Sequence, residues 1–211
     1  MSSVGRRVAV VDYGLANIRS VVNALNCFDV DVTVVDNGAG LSDAGRIVLP
    51  GVGSFDAGMR GLRERGHLEA LQRRVMAAGV PYLGICLGMQ FLFDGSAEGS
   101  AAGLGWVKGK VKRFPSGNGQ PKVPHVGWNE VEIRPSTELM APLESRTDFY
   151  FVHSYYAPLA DTEAIATGIC DYGVRFCAAL ERDNIAAVQF HPEKSQLGGM
   201  KLLETFLQAD G

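Results

Sequence analysis

A thiol, an imidazole and a carboxylate stand in this sequence at positions where they could work as one set. Cys86 lies in Val80–Phe93, VPYLGICLGMQFLF, which reads as a short buried strand, then Gly84-Ile85-Cys86-Leu87-Gly88, then the start of an apolar helix. Strand, Gly-x-Cys-x-Gly, helix is the layout of a nucleophile elbow with Cys in the place of Ser. The turn is tight, so the flanking residues must be small, and Gly84 and Gly88 are. The backbone N–H groups and dipole at a helix start favour thiolate over thiol. Far along the chain, Ile185–Phe190 reads as a strand that delivers His191-Pro192-Glu193. Residues i and i+2 of an extended segment point the same way, and the proline favours extended geometry at His191. Nucleophile, base and orienter are thereby all present.

A free cysteine after an apolar strand is usually a small buried hydrophobe. Cys27, Cys170 and Cys177 read that way; Cys86 differs by its two glycines. A zinc ion is the rival occupant of Cys86, His191 and Glu193, since three protein ligands and a water make an open catalytic site. A metal ligand has no need of a strained turn, so neither metal nor cofactor is expected. His67 sits in a helical stretch among charges, while His125 and His153 lie in strands beside aromatic residues, where hydrogen-bonded structural roles are expected.

The elements that must position these groups follow from periodicity. Arg6–Tyr13 is near-continuously apolar, as in a strand covered on both faces. Asn17–Phe28 has helical spacing, and Asp31–Val35 and Arg46–Leu49 are further strands. Strand, helix, strand implies a crossover and a parallel sheet. The third strand enters Pro50-Gly51-Val52-Gly53, whose glycines let backbone approach a ligand and turn a peptide over. An ordinary strand-to-helix loop would look the same; a phosphate loop would need a Lys-Ser/Thr ending or a third glycine. Helical spacing then runs through Met59, Leu62, Leu68, Leu71 and Val75, interrupted near Gly66.

After Phe93 the character changes. Strands are predicted at Val123–Ile133, Asp148–Tyr156, Ala164–Ile169, Arg175–Glu181 and Ile185–Phe190, with a closing helix from Leu197 to Leu207. The expected fold is α/β: a mostly parallel, flavodoxin-like sheet flanked by helices with a strand-rich second half, in a single domain spanning 1–211.

Composition narrows the class. The 211 residues are 46% hydrophobic with a net charge of −3, and acids and bases are mixed. That leaves no footprint for nucleic acid or an anionic membrane. No apolar run reaches membrane-spanning length, and the N-terminus lacks a signal-peptide pattern. Four scattered cysteines without a CxxC pair suit a reducing, cytoplasmic location.

Taken together, Pro50-Gly-Val-Gly53, Gly84-Ile-Cys-Leu-Gly-Met-Gln90 and His191-Pro-Glu193 resemble the class I (triad-type) glutamine amidotransferases. The likeness spans nearly the whole chain. Within that family, several features resemble the branch serving histidine biosynthesis: Met89, Lys194-Ser195, the start Asp12-Tyr13-Gly14…Asn17, and Pro124-His-Val-Gly-Trp-Asn129. One departure is Ala16, where relatives commonly carry Gly; a small change in the local turn is expected.

By that resemblance, glutamine is the substrate, Cys86 the nucleophile, His191 the general base and acid, and Glu193 the orienter. Gly51, Val52, Gly53 and Gln90 would hold glutamine, with the backbone of His153, Ser154 and Tyr155 closing the pocket. Leu87 N–H and Val52 N–H would bind the oxyanion, which needs two such donors. The resemblance further implies a heterodimer with a synthase (cyclase) subunit of (β/α)8 fold that consumes the ammonia. Asn17, Arg19, Trp128 and Lys194 are the candidate contacts. Competing readings are the glutaminase of another synthase (anthranilate or aminodeoxychorismate type), a flavodoxin-like cysteine hydrolase, and a non-enzymatic binding subunit.

Overall fold

The computed structural model describes residues 7–15, 17–135 and 137–209, so Arg6 and Ala16 lie outside the described residues. In chain order, the first half runs β1 (Arg7–Val11), α1 (Ile18–Leu25), β2 (Asp31–Val35), β3 (Arg46–Gly51), α2 (Phe55–Glu64), α3 (His67–Leu71), β4 (Tyr82–Cys86) and α4 (Leu87–Gln90). The second half runs β5 (Gly95–Ser96), β6 (Lys110–Arg113), β7 (His125–Ile133), β8 (Arg146–His153), β9 (Tyr155–Pro158), α5 (Leu159–Thr162), β10 (Ala166–Asp171), β11 (Arg175–Arg182), β12 (Ile185–Val188) and α6 (Gln196–Gln208).

The main sheet has the order β2-β1-β3-β4-β12-β11-β10-β7-β8. From β2 to β12 every pairing is parallel, and beyond β12 every pairing is antiparallel. Strand β12 is therefore the seam. It comes last in sequence yet inserts beside β4, with Val188 opposite Ile85. That insertion brings the His-Pro-Glu stretch next to the elbow.

Both faces of the sheet are covered, which is why β1 and β4 read as unbroken apolar runs. Alternate residues serve two cores. Ala9 and Val11 pack with Phe55, Met59, Leu62 and Phe91, under α2 and α4. Val8 and Val10 pack with Leu25, Phe149, Phe190, Leu202 and Phe206, under α1 and α6.

Two expected elements are divided differently. The predicted strand Asp148–Tyr156 splits at Ser154 into β8 and β9, because β8 pairs with β7 while β9 pairs with β11 and β6. The helical stretch from Met59 to Val75 is interrupted at Gly66, at φ +68°, as expected, but ends in a π-helical turn over Gln72–Ala77 rather than as a continuous helix. Cys170 and Cys177 are buried as expected, but Cys27 is exposed, because it follows the end of α1 rather than lying on its packed face.

Candidate active site

Strand β4 ends at Cys86, whose φ of 55° and ψ of −107° place it in a sparsely populated backbone region. The elbow glycines are required by close packing. A Cβ on Gly84 would lie 2.7 Å from the Gly88 carbonyl oxygen, and one on Gly88 would lie 1.8 Å from the Leu49 carbonyl oxygen. The helix after Cys86 is a single turn, Leu87–Gln90. So short a run aligns few peptide dipoles, and the help expected from a helix start is correspondingly small.

His191 faces the same thiol from the end of β12. Its Nδ1 lies 2.8 Å from Glu193 Oε1, and both side chains are almost inaccessible, at 3% and 2%. The proline between them does as the sequence suggests, since His191 is extended at φ −102°, ψ 96°. Its backbone is clamped on both sides: His191 N–H donates to the Tyr150 carbonyl, and Ser195 Oγ donates to the His191 carbonyl. Burial opposes a charge on this imidazole, but interaction and hydrogen bonding with Cys86, then with Glu193, outweigh it and raise the pKa to about 10. Nε2 makes no well-aligned hydrogen bond and faces the thiol loosely. Catalytic hydrogen bonds are often loose before substrate binds. Among the described residues, no three His, Cys, Asp or Glu side chains converge as a metal site.

Beside the thiol lies a cavity of about 270 Å³, lined by Val52, Gly53, Cys86, Leu87, Gln90, Glu98, Pro124, Val152, His153, Ser154 and Tyr155. A cavity of similar size, about 290 Å³, lies around Pro81, Asn184 and Phe206 and has neither cysteine nor histidine in its wall. A third, of about 270 Å³, reaches Cys170 but has no histidine in its wall, so the cavity beside Cys86 is the candidate site. Cys86 is only 6% exposed, so what reaches it must enter this cavity.

Every substrate-contact residue expected from the sequence except Gly51 lines the cavity. Gly51 sits behind it, and a Cβ there would meet Tyr13 Oη at 2.5 Å and Leu87 Cβ at 2.7 Å. Val52 N–H, expected as an oxyanion donor, instead donates to the Leu15 carbonyl at 3.3 Å. Across a trans peptide the carbonyl points the opposite way. Strand β1 lies on one side of β3 and β4 on the other, with Gly51 opposite Cys86. The Gly51 carbonyl is thus turned toward the nucleophile's side.

Two polar side chains of the site carry little or no signal in the sequence. Glu98 lines the cavity from a glycine-rich loop with no distinguishing pattern, and its Oε2 accepts from Phe55 N–H at 2.7 Å. Gln189 is fully buried beside Cys86, and its position two residues before His191 is the one usable signal for it. His125 and His153 take the structural roles expected of them. His153 Nδ1 bonds the Tyr155 carbonyl at 2.7 Å, and its Nε2 meets His125 Nδ1 at 2.9 Å. His67 begins α3 with the charges of Arg65, Asp12 and Asp36 near it, as expected, and is fully buried with its Nε2 3.1 Å from the Asp12 carbonyl oxygen.

Asn17 and Arg19 are exposed at the start of α1, which packs on the Pro192–Lys194 turn. Trp128 is 48% exposed. Its ring lies edge-on to Tyr150, over which Lys194 Nζ sits 5.7 Å from the ring centroid.

The fold and this constellation define a class of proteins. The glutamine amidotransferase class-I family model matches residues 9–209, and the chain belongs to that family. Among curated relatives, the imidazole glycerol phosphate synthase subunit HisH of Geobacter sulfurreducens is 43% identical, over 95% of this chain and 97% of the relative. The protein of the same name from Dechloromonas aromatica is 45% identical over 99% of each chain. Among solved structures, the glutaminase domain of Trypanosoma brucei CTPS shares the fold, with TM-score 0.67 and 18% identity over 97% of this chain and 95% of that one.

Proposed function

We propose that this chain is the glutaminase subunit of an imidazole glycerol phosphate synthase. It hydrolyses glutamine at Cys86 and passes the ammonia to a (β/α)8 synthase subunit. That subunit makes imidazole glycerol phosphate and an aminoimidazole carboxamide ribotide in histidine biosynthesis. The observation that carries the hydrolytic part is the buried His191–Glu193 pair at 2.8 Å, charged in response to Cys86 at the foot of a strained elbow. Identity of 43–45% over nearly the full length of both relatives supports the choice of synthase.

The chemistry follows from this geometry. His191 already holds the proton given up by the thiol, and Glu193 keeps the imidazolium in orientation. The thiolate attacks the carboxamide carbon, and the oxygen becomes an oxyanion. Leu87 N–H, directly after the nucleophile, is one donor for it. His191 then protonates the departing nitrogen, and ammonia leaves. Water, deprotonated by His191, attacks the thioester and releases glutamate. Glu98 suits the substrate's ammonium group. The second oxyanion donor is Val52 N–H, supplied when the peptide it shares with Gly51 turns over. Until it turns, a carbonyl dipole stands in its place, which slows the isolated chain.

The partner docks over the cavity mouth, around Asn17, Arg19, Trp128 and Lys194, so that ammonia passes directly into the barrel instead of protonating in water. A reducing cytoplasm suits the four free cysteines. Mixing the chain with the nucleotide-loaded synthase partner, and assaying product with glutamine or with ammonium salts, tests the proposal. Product should form from either nitrogen source, and the Cys86→Ala chain should abolish only the first. Product from glutamine with that variant would refute it.

A further inference from the structure

Gln189 is fully buried and is joined to the nucleophile by a hydrogen bond of 3.6 Å to Cys86 Sγ. The direction of that bond follows from the groups behind it. The Tyr155 carbonyl can only accept, so the Gln90 amide atom 3.1 Å from it is the nitrogen. The same nitrogen lies 3.0 Å from the Gln189 amide, so the Gln189 atom facing it is the oxygen. The remaining Gln189 atom, turned to the sulfur, is therefore Nε2–H, a donor.

Backbone pairing holds this donor rigidly. Gln189 N–H donates to the Ala178 carbonyl at 2.8 Å, and two residues on His191 N–H donates to the Tyr150 carbonyl at 2.9 Å. Gln189 and His191 extend from the end of one strand toward one sulfur. They differ in kind, because the imidazole carries and releases protons while the amide does neither. A fixed N–H donor bonds an anionic sulfur more strongly than a neutral thiol. When the thioester breaks, the same donor receives the sulfur as it regains negative charge.

We propose that Gln189 is a positioning residue that holds the Cys86 sulfur as a hydrogen-bond acceptor, with its amide locked in the donor orientation by Gln90 and the Tyr155 carbonyl. Because Gln90 and Tyr155 also line the substrate cavity, this chain of bonds ties the cavity wall to the nucleophile. The inference rests on Cys86 being the nucleophile.

The test is the pH dependence of Cys86 alkylation by iodoacetamide in the full-length chain, read by peptide mass spectrometry. Exposed Cys27 serves as reference in the same sample. Gln189→Met keeps the length and removes the donor. Gln189→Asn keeps the amide but is too short to reach both Gln90 and the sulfur, and it stands in if the Met variant does not fold. In either folded variant the Cys86 alkylation midpoint should move to higher pH. The rate at neutral pH should fall roughly tenfold, the size expected for losing a hydrogen bond to a charged group, with Cys27 unchanged. With the synthase partner present, kcat should fall while KM stays near wild type. An unchanged Cys86 midpoint in a folded variant would overturn the role of Gln189. It would leave the glutaminase assignment intact, since Cys86→Ala tests that separately.

Discussion

The backbone N–H of Val52 donates to the carbonyl of Leu15, away from the thiol it would have to serve. On the proposed mechanism, one oxyanion donor is therefore withheld in the chain by itself. Losing such a donor costs about 3–4 kcal/mol, or roughly 10²–10³ in rate. The isolated chain should hydrolyse glutamine slowly, and the nucleotide-loaded synthase partner should accelerate it by about that factor. Gly53 is the position at which to test this, since it has φ +91° and open space around it, whereas a side chain at Gly51 would strike Tyr13 and Leu87. Gly53→Val should strain the observed arrangement, since a β-branched residue rarely adopts φ +91°, and so raise the rate of the isolated chain and shrink the activation. A wild-type chain fully active alone would sink the gating.

The triad variants should rank by chemical role. Cys86→Ala and His191→Ala should each remove glutamine-dependent turnover almost completely, on the order of 10⁶-fold. Glu193→Ala should cost less, roughly 10⁴-fold, because an orienter works through the base. With His191 raised to about 10, its proton is available to the leaving ammonia across neutral pH and is lost as pH climbs through that value. Thus kcat/KM should fall on an alkaline limb near pH 10, and Glu193→Gln should move that limb downward. A limb unmoved by the substitution would mean that another group controls it.

His125 and His153 predict acid lability. Burial lowers His125 from 6.5 to about 4 and His153 to about 3. The unfolded chain binds protons at these residues near pH 6.5, where the folded chain does not. Their contribution to stability is thus complete above about pH 6.5 and is lost as pH falls toward 3. Urea melts at pH 7.5 and pH 5 should show lower stability at pH 5. A His125→Gln chain should show a smaller difference between the two pH values. An equal difference in both proteins would contradict the assignment.

Trp128 predicts an interface without a folding role. It is about half exposed and packs edge-on to Tyr150, outside both cores. Trp128→Ala should leave the melting temperature within a few degrees and weaken binding of the synthase partner by roughly 30-fold or more, as for an interface anchor. Titration calorimetry on the folded variant decides it, and unchanged affinity would place the partner elsewhere.

Local chemistry made much of this protein legible in its sequence. Gly-x-Cys-x-Gly after an apolar strand specifies an elbow, because only glycine fits where Gly88 meets the Leu49 carbonyl. His-Pro-Glu specifies an extended dyad, because proline restricts its own backbone and that of its neighbour. The parallel first half followed from unbroken apolar runs alternating with helical spacing. Tertiary structure alone decided the rest. That β12 inserts beside β4, about 100 residues away in sequence, depends on sheet pairing that no local pattern encodes. Gln189 became a thiol partner only through that pairing, and Glu98 entered the cavity from a loop whose sequence carries no periodicity. The direction of the Val52 N–H was beyond the sequence for a different reason. The glycines on either side permit both orientations, and the choice falls to whichever acceptor the fold places nearby, here the carbonyl of Leu15.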